Sequence, residues 1–492
     1  MIPARETRFA LVVLALLGLL GSASVYHHEP GRDELQPWGI VLSSSSIAEL
    51  RANYDYESHP RLWFFCLYAL SRLTREPFAM QLFCLAFSLS TAFLWLRFAP
   101  FPRWVRVLYC LGYLHLYEYG TIARGYTQGE FFATWLCAAL PLARARPWLA
   151  GVPLFLLAQT SLHGVFLAVG FGAALLADRA APAGARRAIG ACLAAGLVCA
   201  GIALLPKPDS DDLGYAWFFG LDAGRLMDAL CVFGQAFVPL PNPTFRFWCS
   251  NALDAHFGVQ LALSLACAAG SFALLRRTPR AALVFALPAA AIVGFAYVKT
   301  AGQIRHHGHL FLAFAYALWF AAREAPAAPD LRARALGALL AAHALAGLGA
   351  VAADVAWPFS QSGAIAAYLR REGLAGEVLI GEPEAIVAPV AVLLGRPIYC
   401  VDTDRASLFV VYQKRDGRFN AGRLAGMLRD HPRVLWLTNR PFEPVDPAAG
   451  EAVLAGVPVR FERLTATGEA IRWDERYYLY RVMKRARRGE EP

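Results

Sequence analysis

Arg61-Leu62-Trp63-Phe64-Phe65-Cys66-Leu67-Tyr68-Ala69-Leu70-Ser71 is the run on which the threading of this chain turns. It is apolar, yet it holds roughly half of the ~20 residues that a transmembrane helix needs. If it crosses a membrane, every later loop changes sides. If it lies along the interface as a juxtamembrane or re-entrant helix, the arginine-bearing loops all fall on one side. Those loops carry Arg97, Arg103 and Arg106, then Arg144 and Arg146, then Arg179, Arg186 and Arg187, then Arg276, Arg277 and Arg280, and last Arg323, Arg332 and Arg334. Arginine-rich loops stay on the cytoplasmic side, so the non-crossing reading predicts about eleven crossings, with the N-terminus in the cytoplasm and the C-terminus outside.

The rest of the chain supplies the spans that this threading needs. Apolar runs fall at 9–26, 78–97, 104–120, 127–143, 148–160, 163–177, 188–206, 256–275, 281–298, 309–322 and 335–353. With 492 residues, 57% hydrophobic and 17% charged, the composition is that of a polytopic membrane protein. The net charge of +10 comes from arginines in short inter-helix loops, where they set orientation, and no nucleic-acid partner is read from it. Ser22-Ala23-Ser24 imitates a signal-peptidase site after Arg5 and Arg8, but the run is long enough to span and is read as a retained anchor. The expected location is a plasma (bacterial inner) membrane, with the site on the periplasmic or extracellular side.

From about Trp357 the pattern changes. Val378–Gly381, Ile398–Val401, Leu408–Tyr412, Val434–Leu437 and Tyr477–Val482 are strand-like, with helical patterns at 360–373, 384–394 and 421–430 between them. The expected organisation is therefore an all-α polytopic domain over residues 1–355, with an outer loop at 27–77, followed by a small soluble α/β domain over 356–492 on the outer side. Neither GxGxxG nor a Walker A motif occurs. Of the ten cysteines most lie in apolar runs, and only Cys231 and Cys249 share a polar loop where a disulfide is conceivable.

The candidate chemistry lies in the segments placed outside. Gly31-Arg32-Asp33-Glu34 holds two carboxylates just past the first span. At a wet interface such groups can deprotonate a hydroxyl, or hold a divalent cation against a phosphate leaving group. In Tyr56-Glu57-Ser58-His59-Pro60-Arg61-Leu62-Trp63, Pro60 suits a first helical turn, so a helix N-terminus and an imidazole face an anion. Arg124, Tyr126 and Glu130 stand where two spans meet, and an acid inside an apolar helix is costly unless it faces a cavity; an ion pair closing the loop is the plainer alternative. His163 occupies a break between two apolar runs. Lys299, Arg305, His306, His307 and His309 crowd one outer segment, and adjacent histidines without an acidic partner suit phosphate better than zinc. Pro239-Leu240-Pro241-Asn242-Pro243 with Phe245, Phe247 and Trp248 either lines a lipid-chain groove or rests on headgroups.

Together these residues resemble the GT-C glycosyltransferases, the polyprenyl-phosphate-sugar-dependent enzymes that include protein O-mannosyltransferases and the aminoarabinose transferases of lipid A. Asp33-Glu34 is similar to that superfamily's acidic motif in the first outer loop. His59-Pro60-Arg61-Leu62-Trp63-Phe64 is similar to its His-Pro-Pro or Lys-Pro-Pro step, with Arg61 in place of the second proline. Arg124 and Glu130 are similar to its Ala-Arg step and following acid, with Glu130 one place late. The resemblance implies a GT-C-like membrane domain and inverting transfer of a sugar from a polyprenyl-phosphate donor to a hydroxyl of a lipid, glycan or protein. It implies Asp33 as base, with Glu34 beside it, and His59, Arg61, Arg124, Tyr126, Glu130, His163, Lys299, Arg305, His306 and His307 toward donor phosphate and substrate. No cofactor is assigned beyond a divalent metal cation on Asp33 and Glu130. Two rivals remain: a surface-glycan ligase or polymerase using a diphosphate-linked donor, and a transporter or scaffold, against which the clustering of acids at one surface and the lack of a two-half repeat argue.

Overall fold

The computed structural model describes residues 4–57, 59–211, 216–325, 329–414, 419–442 and 450–485; Ser58 and residues 486–488 of the basic tail lie outside the described residues. The first helix, α1 (Ala4–His27), is followed by three short ones, α2 (Arg32–Leu42), α3 (Ile47–Asn53) and α4 (Leu62–Ser71), and then by α5 (Phe78–Phe98) and α6 (Arg103–Leu111). Next come α7 (Tyr126–Ala139), α8 (Trp148–Ala158), α9 (Leu162–Leu176), α10 (Ala183–Leu204) and α11 (Ala223–Phe237). The helical part closes with α12 (Phe257–Leu275), α13 (Pro279–Val298), α14 (Ile304–Glu324) and α15 (Pro329–Ala356). Among the described residues, six helices are long and apolar enough to cross a membrane: those at 5–27, 78–98, 183–204, 257–275, 279–298 and 331–356. The chain is thus a multi-pass membrane protein. The run at 61–71 forms a helix of 10 residues, too short to span.

The two ends of the helical body differ in charge chemistry. At one end Glu6 of α1 accepts from Arg103 and Arg106 at 2.6 and 2.8 Å, and Asp178 bridges Arg144 and Arg280 at 2.9 and 3.1 Å. Arg280 also pairs with Glu324 at 3.0 Å, so four of the arginine-bearing loops gather there. At the other end His28, just past α1, sits between Glu34 and Asp354 at 3.0 and 2.6 Å and clamps α1, α2 and the end of α15 together.

Local sequence explains two departures from the expected runs. The run at 104–120 is not one helix: Gly112 takes an extended conformation, and a π-helical turn, Tyr113–Glu118, follows it. Residues 223–237, expected within a polar loop, form amphipathic α11, capped by Asp222, whose side chain accepts from Arg225 N–H at 2.7 Å. All ten cysteines are free, so Cys231 and Cys249 are not bridged. The short helix α3 is capped by Ser46, whose side chain accepts from Glu49 N–H.

The C-terminal part is an α/β unit. It contains α16 (Ser362–Arg371), β1 (Leu379–Glu382), α17 (Glu384–Leu394), β2 (Ile398–Cys400), β3 (Arg405–Ser407), α18 (Ala421–Asp430), β4 (Arg433–Thr438), β5 (Glu451–Leu454), β6 (Val457–Ala466) and β7 (Tyr478–Lys484). One sheet runs in the order β3-β2-β1-β4-β7-β6-β5. The strands β2, β1 and β4 are parallel to one another and the remaining neighbours are antiparallel. Residues 408–412, expected as a strand, are irregular; the strand forms just before them as β3, while β5 and β6 had no strong pattern.

This unit is built onto the segment that follows α1. Leu35, Trp38, Ile40 and Val41 of α2 are fully buried in a core shared with Ile386, Val390, Leu408 and Tyr477. Burying Leu35, Ile40 and Val41 contributes about 1.5–3 kcal/mol each. The approach is close at Gly39, where a Cβ would stand 2.4 Å from the Leu408 carbonyl oxygen and 3.0 Å from Val392 Cγ2.

Candidate active site

The N-terminus of α2 decides which carboxylate meets solvent. Gly31 starts the helix in an extended conformation, and its N–H donates to Glu34 Oε2 at 2.9 Å. Glu34 Oε1 accepts from Ala123 N–H at 2.7 Å, and His28 takes the remaining contact. Neighbours on a helix point about 100° apart, so Asp33 and Glu34 cannot share a target. Glu34 is buried as the capping and tethering carboxylate, while Asp33 turns into a cavity. Pro37 in the same helix has no N–H for the Asp33 carbonyl and lines that cavity as well.

The cavity encloses about 250 Å³ beside α2, with Glu57, His59, Trp63, Arg124, Tyr126, Thr160, Arg305, His306 and Tyr412 in its walls. Three guanidiniums converge on Asp33 Oδ2: Arg472 at 3.1 Å, Arg124 at 3.3 Å and Arg305 at 3.4 Å. Arg32 stands 4.0 Å from the other oxygen. Burial would raise the Asp33 carboxyl, but the guanidiniums of Arg472, Arg124, Arg305 and Arg32 outweigh it and hold it well below the usual carboxylate range. Trp248 presents its ring to both Arg305 and Arg472, each guanidinium 5.3 Å from the ring centre, and its indole N–H donates to Glu118 at 3.2 Å. The proline-rich loop therefore supplies a platform that orients two of the cations. Its other face, with α15, lines an apolar groove of about 610 Å³ that includes Pro239, Phe245, Phe247 and Trp357.

Two further groups have their proton affinity set by the cavity. Burial pushes the Glu57 carboxyl up to about 7 against a hydrogen bond from Gln36 and the charge of Arg124. Burial likewise holds His59 down to about 4, reinforced by Arg124 and Arg305. His59 is thus neutral at physiological pH, and the positive charge of the cavity comes from arginine.

Of the residues singled out in the sequence, Asp33, His59, Arg124, Tyr126, Arg305 and His306 meet in this cavity. His163 lies behind it, stacked on His306 with ring centres 5.4 Å apart. His307 faces a second, smaller pocket with Gln303, Cys249 and Asn251. The Arg61 guanidinium covers the Tyr54 ring at 4.9 Å, and the Lys299 ammonium covers the Trp217 ring at 5.0 Å. Glu130 is fully buried in α7, where it accepts from Tyr109 Oη at 2.7 Å and meets His115 Nδ1 at 3.0 Å. It forms no ion pair with Arg124 among the described residues. Asp33 is surrounded by guanidiniums and Glu130 is committed to a tyrosine and an imidazole, and no group of three metal-ligating side chains occurs among the described residues.

Sequence reasoning missed Arg472, Gln36, Tyr412 and the part played by Glu57. Arg472 lies in the Ile471-Arg472-Trp473-Asp474-Glu475-Arg476 connection between β6 and β7. It pairs with Glu475 at 2.8 Å and Asp474 at 3.4 Å as well as with Asp33. Nothing local marks it apart from that dense run of charges. Glu57 stood inside a quoted motif, next to the imidazole that drew attention.

No family model matches the chain, and no curated protein matches it. Among solved structures it is similar to the single-particle cryo-EM structure of the arabinofuranosyltransferase AftD from Mycobacteria, with a TM-score of 0.42 and 14% identity. That likeness covers 98% of this chain and 40% of the AftD chain, so this chain spans two fifths of the other's length. A likeness of this degree establishes neither a shared fold nor a shared reaction.

Proposed function

We propose that this chain is an integral-membrane glycosyltransferase of GT-C type, threaded with about eleven crossings. It moves a sugar, with inversion, from a polyprenyl-phosphate donor to a hydroxyl of a lipid, glycan or protein at the outer face of the membrane. The observation that carries this reading is the convergence of Arg124, Arg305 and Arg472 at 3.1–3.4 Å from one carboxylate that lines a cavity, with Arg124 and Arg305 in the cavity wall, on a multi-pass helical body. Arginine is always charged and matches phosphate geometry with paired N–H donors. Arg124 and Arg305 in the cavity wall stabilise the negative charge that builds on a departing phosphate as the glycosidic bond breaks. The apolar groove beside the proline-rich loop offers a surface for an isoprenoid chain at the same end of the molecule.

The motif resemblance makes Asp33 the base. In this cavity Asp33 is first the counter-ion that keeps the guanidiniums together before the donor enters, and a carboxylate so strongly stabilised as an anion attracts a proton weakly. The experiment is mass spectrometry of lipids and glycans from cells with and without the gene, joined to binding of undecaprenyl phosphate by the purified full chain. A lost sugar together with binding of the probe supports the reading. An unchanged lipid and glycan profile and no binding would end it.

A further inference from the structure

A glycosyl transfer with inversion needs a proton acceptor for the incoming hydroxyl, and the cavity holds a second carboxylate better placed for that work. Glu57 lines the same space as Asp33 but belongs to no guanidinium pair among the described residues. Its Oε1 accepts one hydrogen bond, from Gln36 Nε2 at 2.7 Å.

Gln36 is itself immobilised. Its Nε2 also donates to the Val410 carbonyl at 2.8 Å, and its Oε1 accepts from Val410 N–H at 2.9 Å. Gln36 is buried, so the C-terminal unit holds this amide in one orientation and the amide in turn orients Glu57. The rim is fastened from the other side too. Lys207 pairs with Asp55 at 3.0 Å, Tyr56 Oη donates to Asp209 at 3.0 Å, and Lys414 N–H donates to the Asp209 carbonyl at 2.7 Å. The segment at 207–209, itself braced by Lys414, thus holds the two residues that precede Glu57. A carboxylate held by one neutral donor keeps lone pairs for a substrate proton, whereas Asp33 has spent its Oδ2 on three cations. Its raised proton affinity, with a pKa of about 7, is the value at which a general base works best at neutral pH.

We infer that Glu57, and not Asp33, accepts the proton of the acceptor hydroxyl. This rests on the glycosyltransferase reading above. In the step, the acceptor O–H proton passes to the Glu57 carboxylate and the acceptor oxygen bonds to the anomeric carbon. The bond from that carbon to the phosphate oxygen breaks, and the phosphate leaves with the electron pair toward Arg124 and Arg305, which line the cavity. The proton on Glu57 then returns to water. Asp33 is a positioning residue that assembles the guanidiniums.

The test uses the full chain. Cells lacking the gene are complemented with wild type, Glu57→Gln, Glu57→Asp or Asp33→Asn. The product identified by mass spectrometry is quantified in cells and as an initial rate in their membranes, and undecaprenyl phosphate binding is measured on each purified protein. Glu57→Gln keeps the hydrogen bond from Gln36 and the volume of the side chain. Its expected result is undecaprenyl phosphate bound within about threefold of wild type and a transfer rate lower by roughly 100- to 10,000-fold, the usual share of general-base catalysis. Glu57→Asp should recover part of that loss, which a purely structural role would not require. Asp33→Asn removes a carboxylate that competes for the guanidiniums, so it should bind undecaprenyl phosphate at least as tightly as wild type and keep a measurable rate at saturating donor. Transfer by Glu57→Gln at the wild-type rate, with Asp33→Asn inert though still binding the probe, overturns the assignment and leaves the glycosyltransferase reading standing. Absence of any altered product in the deletion cells overturns both.

Discussion

Replacing Asp33 by Asn is the perturbation whose size follows most directly from the geometry. Three guanidiniums stand 3.1–3.4 Å from Asp33 Oδ2, and at an effective dielectric constant of ~20 each pair carries about 5 kcal/mol of gross Coulomb attraction. Most of that attraction offsets the cost of removing the charges from water. Taking away one partner of a buried ionic cluster leaves the others uncompensated and costs about 3–5 kcal/mol net. At ~2.1 cal/mol/K per residue, unfolding entropy for a chain of 492 residues is about 1 kcal/mol/K. The expected fall in Tm of the purified protein, followed by tryptophan fluorescence, is therefore about 3–5 °C. The sign with pH follows from the depressed pKa of Asp33. Its stabilisation is complete above the ordinary carboxylate range, near pH 4, and disappears only as pH falls through the lower folded value. Inorganic phosphate should then restore part of what the substitution removes. At a hundred times its dissociation constant it returns about 2.7 kcal/mol, and the variant should gain more than wild type, in which Asp33 already occupies the guanidiniums. A variant as stable as wild type and indifferent to phosphate would refute the idea that these arginines form an anion cradle.

Three other outcomes follow from the same site. Glu57 has a folded pKa raised to about 7, so folding favours its protonated form and stability declines as pH rises from about 4.5 to 7; Glu57→Gln should raise Tm relative to wild type at pH 8 and leave it unchanged at pH 4, as read by thermal unfolding across pH. Glu34→Ala removes the acceptor of Gly31 N–H and Ala123 N–H and one partner of His28, and three unmet groups at about 1–3 kcal/mol each predict a loss of several kcal/mol of stability that added phosphate does not restore. Gly39→Ala drives a methyl group into the Leu408 carbonyl and Val392; overpacking at about 1–3 kcal/mol should loosen the C-terminal unit, seen as faster proteolysis within residues 379–484 and a lower transfer rate.

The sequence by itself determined that the chain is built of membrane-crossing helices, because long apolar runs have no other stable use at this length, and the loop arginines marked one face. It also picked out His59, Arg124, Arg305 and His306, which stand beside breaks in apolar runs, where a charged side chain must have a purpose or a partner, and which line one cavity in the structure. The C-terminal helices and most of its strands were legible too, since each has its own hydrophobic period. Only the tertiary structure decided which carboxylate does what. Asp33 and Glu34 are indistinguishable as letters, and the helical rotation between neighbours sends one into the cavity and the other into a capping contact. Arg472 was invisible for a different reason: its partner Asp33 is supplied by the far end of the chain, and an ion pair formed by docking two units leaves no spacing to read. The same holds for Gln36, which matters through the Val410 backbone it meets. Glu130 shows the converse, an acid conspicuous in an apolar helix whose partners, Tyr109 and His115, become neighbours through the packing of α6 and the π-helical turn against α7.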